Sequence, residues 1–404
     1  MHILIINQGC HPDESAAAQY VTDFARDTAA AGHEVTVVCS TRNYECSVPA
    51  YPKTGTDGGV RIRRLWQTGF PKAGLAGRMA NTATWNMTLA WHLLFSFRSR
   101  PDRVLVTTTP PLAATVVACW CAMRRLRFVY WVMDVQPDIA VAAGLFRRNS
   151  IPAVLARTLN SAALRAAYRV IVPDKYMEQH PTVNRVCAKK TGTVPFWPLQ
   201  PLVRPDTHTG AAFRKKHGWQ NRFVVMYCGN HGVCHPLDTI LDAIVQMQSD
   251  PSLVFVFIGT GARKAQVAAV AQKVRPGSMV LLPFQPRAIL GEVLAAADLH
   301  LVSYGNQYAG MGHPSRIYGI LASGQPFVYV GPEASHITDS ITASGCGIRV
   351  EQGDTNRLAD AITAYMTMRK EQRLAEGLRG YEFVQANHCR SKHVKELIDL
   401  VTGP

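Results

Sequence analysis

Short apolar runs, many rich in β-branched residues, alternate along most of the chain with longer stretches whose apolar positions recur every three or four residues. "HILIIN" (2–7), "HEVTVVCS" (33–40), "RVLVTT" (103–108), "RFVYWVMD" (127–134) and "YRVIVP" (168–173) read as buried strands, while "GVRIRRLW" (59–66) alternates as a strand with one exposed face does. Continuous apolar runs suit parallel strands covered on both sides; alternation marks a solvated face. Between them lie helical patterns such as "SAAAQYVTDFARDTAAAG" (15–32), closed by Gly32, with Ser15 in the N-cap position. This strand–helix–strand order predicts an α/β fold, a doubly wound parallel sheet with helices on both faces.

The pattern then restarts. "RFVVMYCGN" (222–230) leads into "PLDTILDAIVQM" (236–247), "LVFVFIGTG" (253–261) into "ARKAQVAAVAQKV" (262–274), and "MVLLPF" (279–284) into "RAILGEVLAAA" (287–297). "DLHLVSY" (298–304), "PFVYVG" (326–331) and "CGIRVEQGD" (346–354) supply further strands. With 404 residues the chain is too long for one ordinary core, so a second doubly wound unit is expected. The stretch "TVPFWPLQPLVRPDTHTG" (193–210) holds four prolines and marks a boundary near residue 200. The expected organisation is therefore two Rossmann-like domains, 1–200 and 201–382. Residues 383–404 are expected to form a C-terminal helix, open to packing on either domain and able to return to the N-terminal one.

Charge narrows the choice of partner. The net charge is +15, of which +11 lies in residues 1–195. Such a half answers to a nucleic acid, a phospholipid surface or a phosphorylated substrate. Two apolar segments in it end in arginines: "TWNMTLAWHLLFSFRSR" (84–100) and "PLAATVVACWCAMRRLR" (111–127). Each fits either an anionic membrane surface or a core-packed helix, and neither is long and apolar enough to span a bilayer. The ten cysteines form no C-x-x-C pair and no zinc spacing, which points to reduced thiols in a cytosolic protein. The N-terminus reads as a strand, not a signal peptide.

Ligands of doubly wound sheets bind beyond the carboxyl ends of the strands, so chemistry is sought in the loops there. The first, "NQGCHPDESAAA" (7–18), carries His11. No loop matches G-x-G-x-x-G, which argues against a dinucleotide-dependent dehydrogenase. In "YCGNHGVCHPLD" (227–238), Gly229 and Gly232 admit a ligand close to the backbone, and Asn230, His231 and His235 add polar groups; a third metal ligand is missing, so no metal is expected. "FIGTGARK" (257–264) repeats the design with Gly259 and Gly261 before Arg263 and Lys264. "YAGMGHPSR" (308–316) combines Gly310 and Gly312 with Ser315 and Arg316 at a helix start. Free amides, a hydroxyl and a guanidinium fork there make an anion clamp suited to the diphosphate of a nucleotide-linked substrate.

With "YCGNHG", "FVFIGTG", "VLLPFQPRAILGEVLAAADLHLVS" and "HPSRIYGILASGQPFVYVG", the chain resembles the GT-B glycosyltransferases of family 4. It is most similar to the bacterial envelope-polysaccharide type with the signature P-S-K-x-Y-G-I-x-A-x-G-x-P. "GHEVTVV" and "DVQPDIAVAAGL" fit as well. The resemblance implies a GT-B fold and transfer, with retention, from a nucleotide-diphospho sugar, commonly UDP-linked, without metal or other cofactor. It puts the donor on the C-terminal domain and the acceptor on the N-terminal one. Pro283, Phe284 and Gln285 would meet the base, and Gly310, Met311, Gly312, His313, Ser315 and Arg316 the phosphates and sugar. Arg316, His235 and the amides near Gly312 would stabilise the departing diphosphate. Asp134 and His11 would orient the acceptor hydroxyl or the sugar. The chain departs from the usual family pattern at Met311 and Gly319, where many members carry a Glu pair. It departs again at Asn230 and His235 in place of Arg and Lys, and at Met133 in place of His.

The expected partners are a nucleotide sugar, a glycan or polyprenyl-linked acceptor and an anionic membrane surface, with no nucleic acid. The expected place is the cytoplasm, peripheral on the inner membrane face. A UDP-sugar 2-epimerase, a transferase acting on a soluble acceptor and a non-catalytic sugar-nucleotide-binding protein stay open as alternatives.

Overall fold

A computed structural model describes residues 1–43, 50–70, 75–97, 99–199, 201, 205–206 and 208–403. The apolar runs become two separate sheets. The first has eight strands: β1 (His2–Ile6), β2 (Glu34–Ser40), β3 (Thr54–Asp57), β4 (Val60–Leu65), β5 (Arg103–Thr107), β6 (Phe128–Trp131), β7 (Arg169–Val172) and β8 (Thr191–Thr193). Their order is β3-β4-β2-β1-β5-β6-β7-β8, parallel throughout except at the β3–β4 hairpin. The second has six: β9 (Phe223–Cys228), β10 (Leu253–Ile258), β11 (Met279–Leu282), β12 (Leu299–Ser303), β13 (Phe327–Val330) and β14 (Ile348–Val350). It is parallel, in the order β11-β10-β9-β12-β13-β14.

Each sheet has a point where the direction of strand succession reverses, and there the loops that follow two neighbouring strands part and leave a crevice. In the first sheet this lies between β1 and β5, in the second between β9 and β12. The loops after β9 and β12 are those that carry the 229–235 and 308–316 sequences.

The chain divides into two compact units. One is Met1–Phe196 with Gly310–His313 and Ser391–Pro404; the other is Trp197–Ala309 with Pro314–Arg390. In the proline-rich stretch, residues 200, 202–204 and 207 lie outside the described residues. The boundary expected at 382 falls inside the helix Lys370–Asn387, which ends in the second unit. Only the next helix, Arg390–Thr402, serves the first: Leu400 approaches Gly192, and the Gly403 carbonyl accepts from Arg103 Nη2 at 3.1 Å.

The first unit's core joins β1, β5, β6 and β7 to helices that follow them. In α1 (Ala16–Ala30) the expected Ser15 cap is absent: the Ser15 side chain makes no capping bond, and its amide donates instead to Asp13 Oδ1 at 2.8 Å. The apolar segment 84–100 enters α2 (Leu75–Trp91) and a π-helical turn, His92–Ser96; Arg98 lies outside the described residues. The segment 111–127 forms α3 (Ala113–Arg124). Trp85, Leu89, Leu93 and Phe97 recur every fourth residue and are buried against Val117, Trp120 and Cys121, so one face of this layer is core. No helix among the described residues is long and apolar enough to cross a membrane.

Candidate active site

Three glycines let two loops of the second unit close on one another. Gly229, Gly259 and Gly261 have φ of +134°, +134° and +150°, a region side chains rarely adopt. A Cβ on Gly259 would lie 2.2 Å from the Gly229 carbonyl oxygen, and one on Gly261 would lie 2.4 Å from Asn230 Oδ1 and 2.6 Å from the His231 backbone. This revises the expected part of Gly259. Its bare face is filled by Gly229 and its amide donates to the Leu282 carbonyl, so it supports the loop and does not meet a ligand. Gly229 is likewise occupied: its amide donates to Ile258, and a Cβ there would stand 3.2 Å from the Arg316 guanidinium carbon.

That space is used to hold Arg316. Its Nη2 donates to the Asn230 carbonyl at 2.8 Å, and the guanidinium lies over the Tyr227 ring, 4.8 Å from the centroid. Nη1 is buried with no hydrogen-bond partner among the described residues. Nearby, the amides of Asn230, Gly232 and Val233 also have no partner among the described residues. A fixed cation beside unpaired amides is an arrangement that can hold an anion. The helix that Arg316 opens, Arg316–Ala322, has only seven residues, so the guanidinium and loop amides supply the field rather than the expected helix dipole. Ser315 stands at its N-cap without a capping bond.

His235 cannot play the part expected of it. Its Nδ1 lies 2.6 Å from the Ser303 carbonyl, which can only accept, so Nδ1 carries the ring proton. Burial first, and the Arg316 charge second, push its pKa well below the ordinary histidine value. With the proton on Nδ1, Nε2 of the neutral ring is an acceptor, not the donor to a phosphate expected of it. His231 is buried too, and neither of its ring nitrogens has a partner among the described residues. Burial, then Arg316 and Lys264, lower its pKa to about 4. Phe284 is exposed, its ring edge beside Gly259, and Gln285 Nε2 donates to the Pro283 carbonyl at 2.9 Å.

In the first unit, Gly310–His313 forms a strap over the ends of β6 and β7. Gly312 bridges Asp134 in an antiparallel pair, and the Val135 amide donates to the Met311 carbonyl at 2.7 Å. Gly310 has φ +70°, and a Cβ there would meet the Tyr176 carbonyl at 3.0 Å. His313 Nδ1 lies 2.5 Å from Asp174 Oδ2, and its ring meets Phe196 edge-on at 5.3 Å. The Met311 side chain packs against the unit's hydrophobic core. The expected single clamp of 310–316 is thus divided: Gly310–His313 belongs to one unit, Ser315 and Arg316 to the other. Met311 and His313 are occupied in packing and in a hydrogen bond to Asp174. Burial pushes the Asp134 carboxyl up to about 7. His11 is exposed; its amide donates to Thr22 Oγ1 and its carbonyl accepts from Arg64 Nη2.

Comparison with known proteins bears directly on this arrangement. Residues 15–197 match the model of a glycosyl transferase 4-like domain. WbjE of Pseudomonas aeruginosa, named as a glycosyltransferase, is 28% identical over 67% of each chain. WcaI of Escherichia coli K12, named as a colanic acid biosynthesis glycosyl transferase, is 21% identical over the whole of both. The chain is a glycosyltransferase with the GT-B fold, and its residues 15–197 resemble the glycosyl transferase 4-like domain. Solved structures similar to this glycosyltransferase in fold include a sucrose-phosphate synthase of Thermosynechococcus elongatus (TM-score 0.74, 17% identity, 98% and 97% of the two chains). Another is HepE of Anabaena in complex with UDP-glucose (TM-score 0.71, 14% identity, both chains fully covered). A third is WaaG, a glycosyltransferase involved in lipopolysaccharide biosynthesis (TM-score 0.73, 14% identity, both chains fully covered). Of the readings left open by the sequence, glycosyl transfer stands and the non-catalytic one falls.

Three residues of the glycosyltransferase escaped the reading of its sequence as site residues: Tyr227 under the guanidinium, Ser303 on His235 and Asp174 on His313. Tyr227 and Ser303 end or nearly end switch-point strands, a position that could have flagged them. Asp174 pairs across 139 positions, and nothing local announces that.

Proposed function

We propose that the enzyme transfers a sugar, with retention, from a UDP-linked donor to a lipid-linked glycan during synthesis of an envelope polysaccharide. The names of WbjE, WcaI and WaaG support the setting, and the UDP-glucose complex of HepE supports the donor class. The observation that carries the reading is the Arg316 guanidinium, fixed by Asn230 and Tyr227 with Nη1 unpaired among the described residues. Negative charge grows on the donor diphosphate as the glycosidic bond lengthens, and a prealigned cation stabilises it without reorganising. The amides of Asn230, Gly232 and Val233 take further phosphate oxygens. Phe284 offers its exposed ring to the base, and Pro283 and Gln285 their backbone. Nε2 of His235 accepts from a sugar hydroxyl.

No metal is needed in this scheme, because the guanidinium and amides carry the charge. The departing phosphate takes the acceptor hydroxyl proton as the new bond forms on the face the leaving group vacates. Asp134 orients the acceptor hydroxyl. The basic first half of the chain favours an acceptor held at an anionic membrane, on its cytoplasmic face.

The test is Arg316→Ala assayed for nucleotide release from a panel of sugar nucleotides, with lipid extract as acceptor. The expected result is a fall in kcat of roughly 10²–10³-fold at saturating donor. Wild-type kcat in the variant overturns the assignment.

A further inference from the structure

Helix α2 is apolar on two opposite faces. Trp85, Leu89 and, beyond its end, Leu93 and Phe97 face the core; Met87, Trp91 and Phe95 recur at the same interval on the outside and are 70%, 65% and 63% exposed, and Met79, eight residues before Met87, is 50% exposed. The only charged residue in α2 is Arg78, whereas the solvated face of a surface helix ordinarily carries charge. The Trp91 and Phe95 rings pair at 4.5 Å across the join with the π-helical turn. The neighbouring helices of the same layer also expose apolar side chains. Helix α3 packs against both α2 and the helix Ile151–Ala166. It exposes Met123, and the neighbouring helix exposes Ile151, Val154 and Leu155.

Cations surround this surface. Arg124 and Arg125 end α3, Arg127 follows, and Arg147 and Arg148 precede Ile151. Residues 58–173 hold sixteen Lys and Arg against three acids, Asp102, Asp134 and Asp138. Two of those acids are engaged: Asp138 holds Arg157 at 3.0 Å, and Asp102 accepts from the His2 amide at 2.7 Å.

We propose that the outer face of α2, α3 and the helix Ile151–Ala166 seats on an anionic lipid bilayer, its aromatic and Met side chains entering the headgroup boundary and the arginines meeting lipid phosphates. A large apolar patch on a soluble unit marks an interaction surface, and aromatics beside arginines fit a membrane boundary. A second copy of the chain would bring a like-charged rim against this one, which favours the bilayer as occupant. The proposal deepens the reading of a membrane-held acceptor and rests on it for the biological membrane concerned.

Flotation of the purified full chain with vesicles tests it, comparing phosphatidylcholine alone with a mixture containing phosphatidylglycerol, at low and high salt. Wild type is expected to float at least ten-fold more with the anionic vesicles, and less so in high salt. Trp91→Ser/Phe95→Ser should lower binding at least ten-fold. Arg147→Gln/Arg148→Gln, on a different helix, should lower it roughly five-fold per arginine at low salt. Wild type that stays with the unbound fraction overturns the proposal, as do variants that float like wild type. Concentration-dependent dimerisation abolished by the Trp91/Phe95 variant also overturns it, in favour of a second copy. UDP titration calorimetry on the same proteins separates the two readings: the surface variants should bind UDP as wild type does. A wild type that floats yet ignores every nucleotide sugar sinks the donor reading alone.

Discussion

The loops after β1 and β9 occupy the same place in two sheets of the same design, yet they are chemically opposite. After β1 the polar groups satisfy one another. Asn7 Nδ2 donates to the Gly9 carbonyl and Asn7 Oδ1 accepts from Thr107, both at 2.5 Å; Gln8 Nε2 donates to Gln67 Oε1 at 2.7 Å. After β9, Arg316 Nη1, both nitrogens of His231 and the amides of Asn230, Gly232 and Val233 are left without partners among the described residues. Of these, Arg316 Nη1 and the two His231 nitrogens are buried, and leaving a buried polar group unpaired ordinarily costs about 1–3 kcal/mol. The crevice comes with the fold; the unpaired groups distinguish the loop proposed to receive an anion from the one that is self-contained.

Glycine substitution should separate the two loops most sharply, through Gly259, which follows β10 and packs directly against Gly229 of the β9 loop. In Gly259→Ala the new methyl meets a backbone carbonyl at 2.2 Å with φ at +134°, and neither can yield cheaply. A loss of about 2–4 kcal/mol is expected, with loss of UDP binding. Gly9→Ala places its methyl 2.9 Å from the Ala18 side chain without a positive φ, and should cost about 1 kcal/mol with UDP affinity intact. Urea unfolding and UDP calorimetry check both. Equal effects would mean that the β9 loop is no more specialised than its counterpart.

The sheets were legible in the sequence because burial on both faces demands uninterrupted apolar runs, as in "LVFVFI" of β10, whose six residues are all buried. The anion loop was legible for a related reason: glycines just past a strand have few other uses. What the glycines do there was not legible. Gly259 meets Gly229, thirty positions away, and only the register of β9 on β10 brings them together. His235 looked like a donor because the sequence cannot show the Ser303 carbonyl that fixes its tautomer. The strap Gly310–His313 was read with the helix it precedes, since its partners Asp134 and Asp174 lie far back in the chain.

Asp134 gives a second, smaller contrast, between a partly buried acid in the first unit and the partly buried cation in the second. Its pKa of about 7 exceeds the ordinary 3.8, so the folded chain holds a proton that the unfolded chain has released between those values. Stability at this site therefore falls as pH rises through that window. Asp134→Asn should abolish the slope and be more stable than wild type at pH 8 by about 1–2 kcal/mol, with little difference near pH 4. Denaturant titrations at the two pH values read it directly. A gap that widens toward low pH would show that Asp134 is instead held as a carboxylate.

His231 tests the comparison with the smallest effect and the clearest sign. A ring with both nitrogens buried and unpaired destabilises the free enzyme, and its depressed pKa shows that protonation does not relieve this at neutral pH. Tyr227 and Phe257 already flank it with aromatic faces at 5.4 and 5.9 Å, so a phenyl ring fits the surroundings. His231→Phe should therefore raise stability by about 1 kcal/mol. If the ring nitrogens serve the bound donor, directly or through water, the same change should weaken UDP-sugar binding roughly ten-fold. Gain and loss together would mark the β9 loop as a place where folding stability is given up for a ligand. A stabilised variant with unchanged affinity would return His231 to the hydrophobic core and leave Arg316 and the loop amides as the groups that set this loop apart from the one after β1.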